Sequence, residues 1–160
     1  MTDGNLARLK KEYSLFEKKY QLPKFSELNI EFEIEKLQEH ETDLLLREIR
    51  RAIGDKTVAF LKFFEVFLNP QAAPLFLLSA IKSLNAHDKI KIEKIYKRIV
   101  LIEVQAIALD IEYEEKKEAE FIKNTYKNWK DMKEDLKIIE EILSRVNQET
   151  KSNNGKSYFG

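Results

Sequence analysis

Apolar residues recur every three or four positions along most of this chain, which is the spacing of amphipathic α-helices. The first such segment covers residues 5–20 and is stopped by Pro23. A second, longer segment is predicted to begin at Thr42 or Asp43, both of which suit an N-cap, and to end at Asn69-Pro70. The pattern therefore predicts helices joined by connections that contain proline.

The apolar pattern in the second half of the chain predicts further helices, with fewer Gly or Pro residues to interrupt them. A short helix carries Pro74 in its first turn, and no Gly or Pro occurs between Asp88 and Gly155. Residues 99–111, IVLIEVQAIALDI, are apolar on nearly every helical face, which predicts a helix packed on several sides at the centre of the fold. A turn is expected within residues 112–118. The final helix is predicted to place on one side Phe121, Ile122, Tyr126, Trp129, Leu136, Ile139, Leu143 and Val146.

Residues 28–34, LNIEFEI, differ from the rest because apolar and polar residues alternate there with a period of two. Locally, this alternation indicates a β-strand. No other segment offers a pairing partner, however, and a lone strand would leave its backbone groups without hydrogen bonds. We therefore expect either an extended segment lying on the helices or the start of a helix.

These segments predict an all-α protein, an antiparallel bundle of four or five helices of which two or three are long. A chain of 160 residues suits one domain with a single core, which we expect to cover residues 1–150. The polar residues 151–160 are expected to form a disordered tail.

Composition excludes several classes of function. Lys plus Arg and Asp plus Glu both number 28, so no net charge favours nucleic acid or an anionic membrane. The chain has no cysteine, which excludes disulfides, thiolate metal sites and cysteine nucleophiles. Its N-terminal residues lack the apolar segment of a signal peptide, and no stretch of about eighteen residues is free of charge. We expect a cytoplasmic protein.

No motif for catalysis or cofactor binding is present, so we predict a non-enzymatic protein without a cofactor. A di-metal site in a helical bundle would need Glu-x-x-His, but the residues three positions before His40 and His87 are Leu37 and Leu84. The glutamates within residues 31–41 lack the spacing of a Ca²⁺ loop and are expected to form a solvated face. We therefore predict no catalytic, cofactor-binding or metal-binding residues.

Glu103 and Gln105 interrupt the most apolar helix, and buried polar side chains need hydrogen-bond partners. We interpret them as residues at the rim of this helix, facing water or an arginine. The alternative is a functional pocket with paired carboxylates around Glu103, as an enzyme would require.

The densest apolar block lies between Thr57 and Ile81 and contains five of the ten phenylalanines. Aromatic residues at helical spacing most often fill a core, which is the favoured interpretation. The alternative is an interaction surface for a second copy of the chain or for another protein. Charged residues within the block argue against a membrane hairpin. The residues assigned to the interaction surface are Phe60, Phe63, Phe64, Phe67, Leu75 and Phe76.

Two basic clusters support a different function, contact with nucleic acid or the ribosome. Neighbouring glutamates are available to pair with them, and such charges usually form a solvated face. The clusters are Arg47, Arg50 and Arg51, which share a helical face, and Lys91, Lys94, Lys97 and Arg98.

Three segments, QLPKFSELNIEFEIEKL, LLLREIRRAIGDK and KKEAEFIKNTYKNW, resemble those of small uncharacterised all-helical proteins of archaea. The resemblance spans much of residues 21–130, and its motifs are packing patterns that include no catalytic residues. It implies a cytosolic archaeal protein of unassigned function.

The leading prediction is a non-enzymatic helical protein-interaction or scaffold module, with a protein partner or self-association. The alternative is a nucleic-acid- or ribosome-associated factor that uses the two basic clusters. We predict no small-molecule substrate and no membrane association.

Overall fold

The computed structural model describes the backbone of residues 2–154 and the side chains of residues 4–148 except Ala72. Within these residues every regular element is helical and there is no β-strand, which confirms the all-α prediction. The α-helices in this part of the chain are α1 (Thr2–Tyr20), α2 (Phe25–Phe32), α3 (Leu45–Leu68), α4 (Leu78–Lys82), α5 (Ala86–Ile111), α6 (Glu115–Leu136) and α7 (Ile138–Asn154). Short 3₁₀-helices cover Ile34–Glu39, Pro70–Ala72 and Leu75–Leu77.

The ends of most helices agree with the sequence pattern. α3 ends next to the predicted Asn69-Pro70 corner, and α5 and α6 are separated by residues 112–114. Pro74 precedes a 3₁₀-helix, which leads directly into α4. α7 includes residues 151–154 of the predicted tail, and residues 155–160 lie outside the described residues.

The segment LNIEFEI is helical, although its alternation resembles that of a strand. α2 ends because Glu33 adopts the left-handed conformation (φ 54°, ψ 40°), and a 3₁₀-helix starts at Ile34. This turn shifts the phase of the apolar pattern, so that Leu28, Phe32 and Ile34 are all buried. Ile30 lies on the other side of α2 and is exposed. The alternation therefore arises from a helix, a left-handed residue and a second helix.

The predicted final helix is two helices. α6 and α7 meet at Lys137, whose N–H donates to the carbonyl of Glu134 (3.3 Å) in a tighter turn than that of an α-helix. Ile138 and Ile142 are buried after this break, whereas Leu143, which was predicted to lie on the same side as Trp129, is exposed. No Gly or Pro marks the break, so periodicity alone predicted one continuous helix.

The fold divides into two compact units, and each is built from two separate segments of the chain. Unit 1 contains the described residues up to Phe60 together with Ile99–Asp131. Unit 2 contains Leu61–Arg98 together with the described residues from Met132 onward. Helices α3, α5 and α6 each contribute residues to both units. The single domain over residues 1–150 stays a prediction.

Trp129 of α6 is the largest fully buried side chain and lies in unit 1. Its ring packs on Phe32 (centroids 5.7 Å apart) and, edge to face, on Phe60 (5.2 Å). Its Nε1–H donates to Oε2 of the buried Glu31 (3.1 Å), which satisfies the polar atom of the indole. The ammonium of Lys56 lies 5.2 Å from the ring centroid. This cluster therefore joins α2, α3 and α6.

In unit 2, the start of α5 is capped and attached to α7. Asn85 Oδ1 accepts from the N–H of Asp88 (2.9 Å), and Asp88 Oδ2 accepts from the N–H of Asn85 (3.1 Å), which is a reciprocal cap. Arg145 Nη1 donates to Asp88 Oδ2 (2.7 Å) and to the carbonyl of Ser83 (3.3 Å). The hydrogen bond from Arg145 lowers the pKa of Asp88 below its ordinary value of 3.8.

We expect Asp88→Asn to lower the free energy of unfolding by about 1 kcal/mol at pH 7, because a charged hydrogen bond becomes a neutral one. Since the pKa of Asp88 is lowered in the folded protein, the stabilisation is fully present above pH 3.8 and is lost as the pH falls through the folded-state value. Urea unfolding followed by circular dichroism at pH 7 and near pH 2 measures this difference. Glu93→Gln removes an exposed pair with Lys97 and is the control. An Asp88→Asn effect of equal size at both pH values would contradict the charge explanation.

Candidate protein-interaction surface

The second half of α5 is buried on one side only. Ile99, Ile102 and Ala106 face the core of unit 1. On the other side, four large apolar residues are more than half exposed: Leu101 (64 %), Val104 (58 %), Ile107 (64 %) and Ile111 (86 %). We call these four residues the α5 stripe. The prediction that residues 99–111 are packed on several sides is wrong, because no other described element covers this face.

The α5 stripe is continuous along the helix. Its residues follow one another at intervals of three, three and four, so they lie on one face and extend over about 15 Å. The small exposed residue Ala108 lies within the same face, and the exposed Gln105 and Glu112 border it. Single exposed apolar residues are common, but a contiguous apolar face is typical of a binding surface.

Two polar contacts with α3 fix which side of α5 faces inward. Arg50 Nη2 donates to Asp110 Oδ1 (2.6 Å), and the hydroxyl of Thr57 donates to Glu103 Oε1. Arg50 and Thr57 are seven residues, or two turns, apart on α3, and Glu103 and Asp110 are also seven residues apart on α5. The earlier residue of α3 contacts the later residue of α5, and the later residue of α3 contacts the earlier one. α3 and α5 are therefore antiparallel here, and the α5 stripe faces away from α3.

Arg50 is the centre of this arrangement. Its side chain is only 2 % exposed, and it also donates from Nε to Oε2 of the fully buried Glu118 of α6 (2.7 Å) and from Nη1 to the Ala106 carbonyl (3.0 Å). The hydrogen bond from Arg50 lowers the pKa of Asp110 below its usual range. One guanidinium thus connects α3, α5 and α6, and every nitrogen that it carries has an acceptor.

The arginine cluster predicted to contact phosphates does not form a free basic surface. Arg50 is buried and paired within the fold, so it is not accessible to a nucleic acid. The half-buried Arg47 stacks on Tyr113, with the guanidinium 5.0 Å from the ring centroid, and its Nε lies 3.8 Å from Oε1 of Glu118. Arg51 is exposed and pairs with Glu48 (3.0 Å). The two basic clusters also belong to different units.

The second basic cluster is partly paired. Lys94 and Lys97 are exposed, whereas Lys91 and Arg98 are half-buried. Lys97 pairs with Glu93 (2.6 Å) in the same helix, and Arg98 lies 3.8 Å from Asp135. This cluster therefore keeps exposed positive charge mainly at its two lysines on the solvent side of α5.

The phenylalanine block is used mainly as core, as the favoured interpretation predicted. Phe64 and Phe67 are buried in unit 2, and the half-buried Phe63 packs on both rings with centroids 5.7 and 5.1 Å apart. Phe60 is half-buried against Trp129 in unit 1. Leu75 (85 %) and Phe76 (78 %) are highly exposed in a 3₁₀-helix of unit 2. Of the six residues assigned to an interaction surface, only these two remain largely accessible.

The polar residues that could carry chemistry have structural or solvent-facing positions. Glu103 is half-buried and faces Thr57 rather than an arginine, and Gln105 is exposed. His40 and His87 are both exposed. No group of three or more His, Cys, Asp or Glu residues within the described part of the chain could hold a metal ion.

The acidic run of residues 31–41 does not converge on one point. Glu31 is buried against Trp129, while Glu35 bonds Asn29 (2.9 Å) and Glu41 pairs with Arg8 (3.1 Å). An open groove of about 710 Å³ lies beside this run in unit 1. Its lining includes Lys36, Arg51, Lys56, Glu33, Glu48 and Asp55. Because three basic and three acidic residues line it, the groove favours neither an anion nor a cation.

No family model, curated protein or solved structure matches this chain significantly. Among the described residues, no helix is both long enough and apolar enough to cross a membrane. The candidate site therefore depends on the geometry of the α5 stripe alone.

The sequence pattern missed the α5 stripe because a helix that is apolar all round gives no preferred inward side. A signal was nevertheless present. Glu103 and Asp110 are two turns apart on α5, as are Arg50 and Thr57 on α3. Pairing these polar residues in antiparallel order would have identified the inward side, and the stripe would have followed as the outward one.

We expect Arg50→Met to lower the free energy of unfolding by about 3 to 5 kcal/mol, because the buried Glu118 would lose its hydrogen-bonded partner and keep only the more distant Arg47 (3.8 Å). Urea unfolding followed by the fluorescence of Trp129, the sole tryptophan, reports on unit 1 directly. Arg51→Met, at the exposed neighbouring arginine, is the matched control and should cost less than about 1 kcal/mol. The double variant Arg50→Met/Glu118→Met should recover most of the loss. Equal effects of Arg50→Met and Arg51→Met would contradict the assigned role.

Proposed function

We propose that this chain is a non-enzymatic helical-bundle module of the cytoplasm that binds a protein through the α5 stripe. The single observation that carries the proposal is the exposed, contiguous apolar face formed by Leu101, Val104, Ile107 and Ile111. Removing such a face from water is favourable by about 25 cal/mol per Å² of apolar surface. A protein with a complementary apolar surface is the partner that this face suits.

The rigidity of the opposite side of α5 supports the same proposal. Arg50 and Thr57 hold that side through Asp110, the Ala106 carbonyl and Glu103. The stripe is therefore presented on a helix whose rotation about its own axis is already fixed. A surface that is ordered before binding loses less conformational entropy when the partner arrives.

Leu75 and Phe76 are a second candidate contact. They lie at the start of a short helical segment, and their neighbour Leu77 is buried, which anchors the segment in unit 2. Aromatic side chains such as Phe76 are enriched in protein–protein interfaces relative to the rest of the protein surface. We propose that they add to the affinity for the same or another protein partner.

The alternative function, contact with nucleic acid, retains less support. Its strongest residue, Arg50, is buried, and Lys97 and Arg51 already face carboxylates. Lys94 remains exposed on the solvent side of α5. A test of the proposed function should therefore also read out nucleic acid.

Site-specific photocrosslinking tests the proposed function. A benzophenone amino acid replaces Ile107 in the α5 stripe or, as the matched control, the exposed Lys127 on α6. Each protein is irradiated in lysate of the source organism, and the adducts are treated with nuclease or protease. We expect protein adducts at position 107 that resist nuclease and that exceed those at position 127. Unlabelled wild-type protein should compete them away, whereas Val104→Asp should not, because a charge on the stripe opposes apolar contact.

Two results would contradict the proposed function. One is a yield at position 107 no higher than at position 127. The other is an adduct at position 107 that nuclease removes, which would favour the nucleic-acid alternative. An adduct between two copies of this chain counts as a protein adduct in this experiment.

A further inference from the structure

We propose that the α5 stripe binds a second copy of this chain, with the two α5 helices packed antiparallel about a two-fold axis near Val104. This inference rests on the proposed function, in which the stripe binds a protein, and it names that protein. The order of apolar and charged residues along α5 supports it.

The apolar residues of the stripe are self-complementary in antiparallel order. A two-fold axis at Val104 places that residue against its own copy, and it places Leu101 of one chain against Ile107 of the other, since each lies three residues from the axis. Apolar residues therefore meet apolar residues at all three central positions. Ala108 lies on the same face and allows the helices to approach closely.

The charges of α5 are arranged for an antiparallel neighbour. Residues 89–98 contain five basic residues and one acidic residue, whereas residues 99–111, the rest of α5, contain two acidic residues and no basic residue. Glu112 and Glu114 follow directly after the helix. A helix prefers the opposite order, because its N-terminus carries partial positive charge and its C-terminus partial negative charge. An antiparallel helix with the same sequence brings basic ends to acidic ends, whereas a parallel copy would bring like charges together.

On the inward side of α5, an antiparallel neighbour already supplies the opposite charge. There, antiparallel α3 supplies Arg50 to the acidic end through Asp110. On the outward side, Lys94, Lys97 and Glu112 remain exposed beside the stripe. The α5 helix of a second chain, packed antiparallel, would supply opposite charges to the outward side of α5, as α3 does to the inward side.

The spacing along the helix brings the outward charges within reach of each other. Lys97 lies about 10 Å from the axis at Val104 toward the N-terminus. Ile111, the last residue of α5, lies about 10 Å from the axis toward the C-terminus, and Glu112 follows it directly. In the antiparallel pair, Lys97 of each chain therefore meets Glu112 of the other, and the contact occurs twice. Lys97 also contacts Glu93 one turn earlier, so the acidic residues of both chains would surround it.

Single cysteines test the geometry, because the natural chain has none. Val104→Cys should form a disulfide dimer under mild oxidation. A mixture of Leu101→Cys and Ile107→Cys should form the mixed disulfide, with little of either self-linked product. Ile111→Cys is the matched control on the same stripe, since it is far from its own copy in an antiparallel pair.

The mass of the wild-type protein is measured by sedimentation from low to high micromolar concentration. We expect a reversible dimer. Lys97→Glu or Glu112→Lys alone should weaken it about tenfold, because an attraction that occurs twice becomes a repulsion. The double variant Lys97→Glu/Glu112→Lys should restore it, since the opposite charges again face each other across the axis. Lys127→Glu, on α6, should leave the dimer unchanged.

The possible results separate the two proposals. A strict monomer at high micromolar concentration, or an Ile111→Cys disulfide as strong as that of Val104→Cys, overturns this inference. If photocrosslinking at Ile107 then yields a different protein, the proposed function stands and only the identity of the partner is wrong. If it yields no protein at all, both fail.

Discussion

The buried guanidinium of Arg50 is the interaction on which unit 1 and its exposed surface depend. Three helices meet at it, because it bonds Glu118 of α6 and both Asp110 and the Ala106 carbonyl of α5 from its place on α3. Burying an arginine and a glutamate is costly, and the cost is offset only when each finds its partner in good geometry. The pair therefore penalises any rotation of α5 that would turn the stripe inward. The same contact that stabilises the unit also determines which face of α5 remains in water.

The helical class of the fold could be predicted from the sequence, since period and element length are local properties. The core positions of Phe64 and Phe67 followed from the same periodicity. The sequence pattern left open whether residues 28–34 are extended or helical, and it missed the break between α6 and α7. In both places one residue changes the phase of a helix. Glu33 adopts a left-handed conformation that sequence reasoning assigns to glycine or asparagine, and Lys137 marks a break without any residue that disfavours a helix. Glutamate and lysine also occur within the helices, so the residue type does not mark either position.

The candidate surface was harder to predict than the fold, for a different physical reason. The spacing of apolar residues along a helix is the same whether their side chains are buried or exposed. Burial depends on whether other parts of the chain pack against that face of the helix. Residues 99–111 therefore suggested a central helix, although only one of its sides is covered. Polar residues were more informative here, because Asp110 and Glu103 each needed a specific partner. Arg50 was predicted to contact phosphates because its charge is visible in the sequence and its burial is not.

The two-segment construction of each unit also affects how the protein is made. When the first sixty residues have left the ribosome, Arg50 is present, and so is Phe32, which packs on Trp129 in the folded protein. Trp129, Asp110 and Glu118 are not yet synthesised. Unit 1 cannot close its core until residues 99–131 emerge, and the intervening residues of unit 2 must wait for Ile138 and Ile142. Apolar segments are therefore exposed during most of translation, a period in which nascent chains are prone to association.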